Sequence, residues 1–203
     1  MPLLMKINLS KAIELINNKQ LVAVPTETVY GLAASIKYPE AINKIYKIKQ
    51  RPLDKALSIL ISQKSHLQEL SLNFPTQYNK IMSFWPGPLT IVLEANLKQV
   101  PAELRAGGKT VALRMPDHPI LLDLLNKTGP LAAPSANISG FPAPINTQEV
   151  RQNLGDDFPI LDGGDCQLAT ESTIVSLVGN SVKILRQGAI PKTKIKSCLN
   201  LSE

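Results

Sequence analysis

The chain has 203 residues, a length for one domain, and its 44% hydrophobic content is enough for a substantial core. No apolar run is long enough to span a bilayer, and MPLLMKINLS lacks a signal-peptide layout because Lys6 interrupts a very short apolar stretch, so the expected location is the cytoplasm without membrane contact. A formal charge of +6 points to an anionic partner, while only 4% aromatic residues argue against a base-stacking RNA platform.

In chain order, Leu9, Ala12, Ile13 and Ile16 fall on one face of a short helix with Ser10 as its expected cap. The run 21-LVAV-24 reads as a buried strand that Pro25 ends, followed by the polar cluster Thr26, Glu27, Thr28 and Tyr30 and then Gly31. Tyr30 is expected to line a pocket there, and Gly31 to let the chain turn close by. A helix is expected from Pro39 to Lys49, with a stripe of Ile42, Ile45 and Tyr46 that ends on Lys49. A strand at 57-LSILI-61 precedes two helical segments, around Leu67 and from Tyr78 to Phe84, and Pro and Gly residues break the chain at 85-WPGPL-89. Strands follow at 89-LTIVLE-94 and 110-TVALR-114, then a helix at 119-PILLDLLN-126, opened by Pro119. A strand at 131-LAA-133 runs into the polar loop 134-PSANISGFPAP-144. Asn146, with Glu149 three residues on, marks another helix start. After 159-PILD-162, the runs 173-TIVSLV-178 and 181-SVKILR-186 flank Gly179-Asn180 as a hairpin, and a short helix is expected after Pro191. Alternating helices and strands give an α/β class with one mixed sheet partly covered by helices.

Five clusters at strand or helix ends carry chemical potential. Lys47, Lys49, Arg51 and Lys55 put four cations within nine residues, either as a solvated helix C-terminus or as a polyphosphate site in which arginine supplies a planar fork. Ser135, Asn137 and Ser139 form a self-satisfying Asx/ST turn, or else Ser135 and Asn137 bind phosphate or ribose oxygens. Arg114, directly after a buried strand, needs a partner: an acid such as Glu27, or a substrate carboxylate. The segment 170-TESTIV-175 repeats the threonine–glutamate–hydroxyl theme of residues 26–28. Arg186 ends the last strand as surface charge or as a further phosphate contact.

His66 and His118 lie near no serine or cysteine motif, and Cys166 and Cys198 form neither CxxC nor a metal-ligand spacing, so a catalytic triad, a zinc ribbon and a redox dithiol find no support. The Rossmann glycine fingerprint and the phosphate-loop Gly-Lys-Ser/Thr are missing as well. The remaining inventory of hydroxyls, arginines and lysines binds anions and orients reactants.

In this order PTETVYGL, KIKQRPLDK, TVALRMPDHP, APSANISG, ESTIV and LRQGAI resemble the YrdC-like threonylcarbamoyl-adenylate synthases, over a span from about Lys11 to Ile190. The resemblance implies a single YrdC-like domain covering 1–203, in the short form without an extra C-terminal domain: a twisted mixed sheet with flanking helices and a basic concave cavity. It implies condensation of L-threonine, bicarbonate and ATP into threonylcarbamoyl-adenylate and pyrophosphate, with Mg²⁺ accompanying ATP. The product would serve N6-threonylcarbamoylation of adenosine 37 in tRNAs that read ANN codons. Other proteins of that route would make the transfer, and tRNA or double-stranded RNA is a further expected partner. Carried over by motif, ATP contacts fall on Lys49, Arg51, Lys55, Thr110, Ser135, Asn137 and Arg186, with Lys49 and Arg51 as the catalytic cations. Threonine contacts fall on Thr28, Arg114, Ala133 and Ser172. The role of Glu27 is left open between orienting Arg114 and touching substrate, and the loop from Ser139 to Pro144 is a candidate lid hinged at Gly140. Two positions depart from relatives: Leu60, where some carry histidine, and Ala143, where serine or threonine is frequent. Two alternatives stand beside this reading. One is a carbamoyl-phosphate-dependent, carbamoyl-adenylate-forming domain; the other is a non-catalytic RNA-binding or ribosome-maturation module.

Overall fold

The computed structural model describes residues 6–179 and 181–201. Among these, the strands β1 (Lys6–Ile7), β2 (Val22–Val24), β3 (Gly31–Ser35), β4 (Ser58–Leu60), β5 (Leu89–Glu94), β6 (Thr110–Arg114), β7 (Leu131–Ala132), β8 (Ile160–Leu161), β9 (Thr173–Ser176) and β10 (Lys183–Arg186) form one sheet. Its order is β1-β8-β2-β3-β7-β4-β6-β5-β9-β10. Parallel pairs (β1·β8, β2·β8, β4·β6, β5·β9) occur beside antiparallel ones, so the sheet is mixed as expected. The helices are α1 (Leu9–Asn17), α2 (Pro39–Lys49), α3 (Lys64–Leu70), α4 (Thr76–Ile81), α5 (Pro119–Thr128), α6 (Thr147–Leu154) and α7 (Lys192–Leu199). Short 3-10 turns occupy Met82–Phe84 and Ala102–Arg105.

The period-two alternation of the strands divides the core. Along β2, Val22 and Val24 pack with Ala12 and Ile16 of α1 and with Leu121, Leu124 and Leu125 of α5. Ala23 points the other way, into the cluster that holds Ile42 and Ile45 of α2. In the β4–β6–β5 half, Ile59, Leu113 and Ile91 face the larger cluster together with Leu67 of α3, Ile81 of α4 and Ile195 of α7. Their neighbours Ser58, Leu60, Ala112, Arg114 and Thr90 point to the opposite face, where the sheet forms the floor of a concavity. The fold therefore covers one side of this half-sheet with helices and leaves the other side for ligand.

Several sequence expectations need correction. Asn8, not Ser10, caps α1: its Oδ1 accepts the Lys11 N–H at 2.9 Å, the usual reach from a cap to the third helical residue. Gly31 opens β3 instead of a turn, and β3 returns antiparallel to β2 across the 25–30 loop. Tyr30 is wholly buried in the main core, with its hydroxyl donating to the Gly164 carbonyl at 2.8 Å, and it borders none of the spaces of the concavity described below. The hairpin of β9 and β10 forms as expected, although Asn180 of its turn lies outside the described residues, as do Met1–Met5 of the N-terminal stretch. At α6 the expected start holds: Asn146 Oδ1 accepts the Glu149 N–H, and Glu149 reaches back to the Ile145 N–H.

Candidate active site

The 25–30 loop satisfies itself before it meets anything else. Thr26 Oγ1 accepts the N–H groups of Thr28 (2.9 Å) and Val29 (3.1 Å) and lies 2.7 Å from Thr28 Oγ1. Thr28 is completely buried, and its hydroxyl accepts a 2.8 Å hydrogen bond from Arg114 Nη1. Thr28 thus braces the arginine from behind, and it is Thr26 that reaches the cavity wall.

Arg114, 5% exposed, ends β6 between three anchors. Its Nε donates to the Gly87 carbonyl at 3.2 Å, Nη1 to Thr28, and Nη2 lies 2.7 Å from Glu27 Oε1. The Glu27 contact is an ion pair without hydrogen-bond alignment, since neither carboxylate oxygen has a hydrogen-bond partner. Burial pushes the Arg114 pKa down, and the adjacent Glu27 pulls it back up. A guanidinium has five N–H groups, so these anchors leave donors for a ligand. A small chamber of about 50 Å³ adjoins it, lined also by Thr26, Leu60, Thr90, Ala133 and Ser172. Thr90 and Ser172 place their hydroxyl oxygens 2.8 Å apart.

Lys49 ends α2, 1% exposed. Its ammonium donates to the carbonyls of Ser135 (2.5 Å) and Asn137 (2.6 Å) and to Asn137 Oδ1 (3.3 Å). The Asn137 amide in turn donates to the carbonyls of Ile138 and Phe141. One buried cation thus moulds the 135–141 loop, and burial together with the charge of Arg51 lowers its pKa to about 8. Lys49, Arg51, Lys55, Asn137, Ser139 and Ala143 border a cavity of about 480 Å³. Arg51 holds its loop through Nε to the Lys55 carbonyl and Nη2 to the Ala56 carbonyl, leaving Nη1 available. A third space of about 150 Å³ is bounded by Arg51, Ala112, Ile174 and Arg186. Arg186 grips the carbonyl of Ser172 through Nη2 (2.9 Å) and Nε (3.2 Å) and pairs with Glu171 at 2.9 Å.

All three spaces share Ser135 and Glu171, so they form one continuous concavity. The structure brings together Lys49, Arg51, Lys55, Arg114, Ala133, Ser135, Asn137, Ser172 and Arg186 around it. Thr110 shares the sheet face of Ala112 and Arg114, by the strand period, but lines none of the three spaces. The departures Leu60 and Ala143 line the small chamber and the 480 Å³ cavity respectively. Sequence reading passed over Thr90, whose signal is a hydroxyl at an inward position of an otherwise apolar strand, and noted Glu171 only as part of the 170–175 cluster, with no role of its own. Neither histidine nor cysteine lines these spaces.

Residues 14–188 match the family designated Sua5_yciO_yrdC, whose description is "Telomere recombination". The chain belongs to the Sua5/YciO/YrdC family. A threonylcarbamoyl-AMP synthase of Bacillus subtilis (strain 168) is 40% identical over 94% of this chain and 56% of its own length. A putative threonylcarbamoyl-AMP synthase of Mycobacterium tuberculosis (strain ATCC 25618 / H37Rv) is 34% identical over 94% of this chain and 88% of its own. The crystal structure of Pyrococcus abyssi Sua5 complexed with L-threonine superposes with a TM-score of 0.89 at 38% identity, over 94% of this chain and 56% of that one. This Sua5/YciO/YrdC chain therefore spans a little over half the length of the Bacillus relative and of the Pyrococcus structure. Among its described residues no helix is long and apolar enough to cross a membrane.

Proposed function

We propose that this chain condenses L-threonine, bicarbonate and ATP into threonylcarbamoyl-adenylate and pyrophosphate, as a nucleotidyltransferase. The observation that carries the reading is the junction of two unlike compartments. A small chamber walled by the buried Arg114, by Arg186 and by hydroxyls that include Thr90 and Ser172 shares Ser135 and Glu171 with a larger cavity rimmed by Lys49, Arg51 and Lys55. Relatives named threonylcarbamoyl-AMP synthase, and a Sua5 structure holding L-threonine, support it.

Each residue has a task in this proposal. The spare Arg114 donors take the threonine carboxylate, against Ser172 and the Ala133 backbone. Arg51, Lys55 and Arg186 face the phosphates, while Lys49 supplies a buried positive charge behind the loop that presents Ser135. Threonine and bicarbonate combine to a carbamate with loss of water. The carbamate oxygen attacks the α-phosphorus, and pyrophosphate leaves. Two anions are forced together, and flanking cations lower that Coulomb barrier without a protein nucleophile. Cys166 is buried outside the site, its thiol pushed up to about 11 by that burial, and stays protonated near neutrality. Mg²⁺ arrives as the substrate Mg–ATP and is held mainly by phosphate oxygens. The reaction is carried by the one domain with its core at about 11–190, in the cytoplasm, and feeds proteins that transfer the threonylcarbamoyl group to tRNA. The 139–144 loop closes over the nucleotide as a lid.

The deciding assay combines the protein with threonine, bicarbonate, ATP and Mg²⁺ and follows pyrophosphate. Threonine-dependent release is expected. Release that ignores threonine, or AMP formation that needs carbamoyl phosphate instead, overturns the reading. So does tight, steeply salt-dependent RNA binding without ATP binding.

A further inference from the structure

A zwitterionic amino acid brings a cation as well as a carboxylate, and the concavity offers few places for it. Arg114 and Arg186 both line the small chamber, and Arg51, Lys49 and Lys55 lie beyond it. An ammonium placed among them is repelled unless an acid is at hand. Among the described residues lining the three spaces, the sole carboxylate is Glu171, and it borders every one of them. Glu27 is no substitute, being sealed behind Arg114 at 7% exposure.

Glu171 is placed firmly but its carboxylate is not locked away. Its backbone carbonyl accepts the Ala189 N–H at 2.9 Å, and the adjacent Ser172 is buried with its carbonyl gripped by Arg186. The side chain, 41% exposed, is paired at 2.9 Å with Arg186 Nη1. That partner is one of the cations assigned above to the phosphates. When polyphosphate draws Arg186 away, Glu171 is left beside phosphate oxygens of its own sign and requires a new cation.

We propose that Glu171 is the recognition residue for the α-ammonium of the amino-acid substrate, exchanging Arg186 for that ammonium when nucleotide binds. This rests on the threonine-plus-ATP reading of the site and adds to it a coupling between the substrates. Threonine sits with its carboxylate at Arg114 in the small chamber and its nitrogen at the junction, where Ser135 and Glu171 border all three spaces. There the nitrogen meets Glu171, next to where bicarbonate and the α-phosphate must converge. By linkage, nucleotide and threonine each raise the affinity of the protein for the other by one common factor.

The test is calorimetric, without bicarbonate so that no turnover occurs. L-threonine and its amine-free analogue (R)-3-hydroxybutanoate are titrated into wild type, E171Q and E171D, with and without an α,β-methylene ATP analogue. Wild type is expected to prefer threonine by about tenfold or more, the size of a charge-assisted contact, and the ATP analogue is expected to increase that preference. E171Q should bind the two acids within about twofold, show no coupling, and bind the ATP analogue at least as tightly as wild type, which also verifies its fold. E171D, which keeps the charge, should retain the preference for threonine. If E171Q still prefers threonine, or if E171D loses the preference as completely as E171Q, the assignment is overturned, and Glu171 serves only to hold Arg186. A wild-type protein that binds the ATP analogue but not threonine overturns the functional reading, and this assignment with it.

Discussion

Glu27 and Arg114 approach to 2.7 Å in a place where both are sealed from solvent, and the arginine still borders the small chamber. Removing one member of such a pair strands a buried charge. E27A is therefore expected to lower stability by about 3–5 kcal/mol, read as a fall in the urea midpoint. E27Q retains the shape but not the charge. It should raise the KM for threonine more than the KM for ATP, and equal changes in both would show that Glu27 does not act through Arg114.

Substituting Arg114 with lysine preserves charge and removes the planar fork. Nε, Nη1 and Nη2 serve three different anchors, and one ammonium cannot reproduce them. R114K is expected to weaken threonine use by about tenfold or more in kcat/KM while ATP-analogue affinity stays near wild type. Loss of ATP affinity to the same extent would place Arg114 on the phosphates instead.

Lys49 couples pH to the shape of the 135–141 loop. Its folded pKa of about 8 lies below the ordinary 10.5, so the folded protein loses that proton first as pH rises. The folded state then binds fewer protons than the unfolded state between pH 8 and 10.5, and in that window the residue's contribution to stability grows with pH. Below pH 8 both states are protonated and the burial penalty is at its full value. Function should move the opposite way. Deprotonation removes a donor from the 135–141 loop and a positive charge from the cavity, so ATP-analogue affinity should fall as pH rises through about 8. Titration of wild type against K49M checks both signs: the wild-type stability deficit should shrink above pH 8 as the affinity advantage disappears.

Arg51 and Lys55 share a loop but not an environment. Arg51 is half-buried, fixed by two carbonyls, and borders two of the three spaces. Lys55 is exposed at the rim. R51A is expected to reduce pyrophosphate formation by about 10²-fold, whereas K55A should change it only a few-fold and lose that effect in high salt. Equal losses in both variants would mean that the loop, not the guanidinium, is what matters.

Gly188 tests how the floor of the site is held. A methyl group there would run into the Glu171 carbonyl and the Ser172 backbone, while Thr173 Oγ1 gathers the N–H groups of Gly188 and Ile190. G188A is expected to destabilise by about 1–3 kcal/mol in denaturant titrations and to raise the KM for threonine by displacing Ser172. Unchanged stability would show that this crossing is loose.

What the sequence discloses depends on periodicity. The stripe of α2 ends on Lys49, and that position is buried with the rest of the stripe. The floor strands β5 and β6 also stand where their apolar runs lie. By contrast, GLAAS at 31–35 has small residues and no polar alternation, because β3 is buried along its whole length, and the sequence reading assigns no strand there. Thr28 and Tyr30 sit in an irregular turn, where no period tells which side chain reaches a cavity, so Thr26 takes the wall position expected of its neighbours. Arg186 is visible as a strand-end cation. Its grip on Ser172 and Glu171 appears only once β9 and β10 are paired, since contacts set by strand register leave no mark in a local window.

The arrangement of β9 and β10 also bears on protein synthesis. The 49–55 cations and the 135–137 loop precede in the chain the strand that completes the floor between β5 and β10, and residues 186–190 clasp 171–173 from outside. A nascent chain on the ribosome therefore carries most of the site's cations long before it has a site. Fragments from interrupted translation, stopping short of 171–190, lack Glu171, Ser172 and Arg186, and with them walls of both the small chamber and the 150 Å³ space.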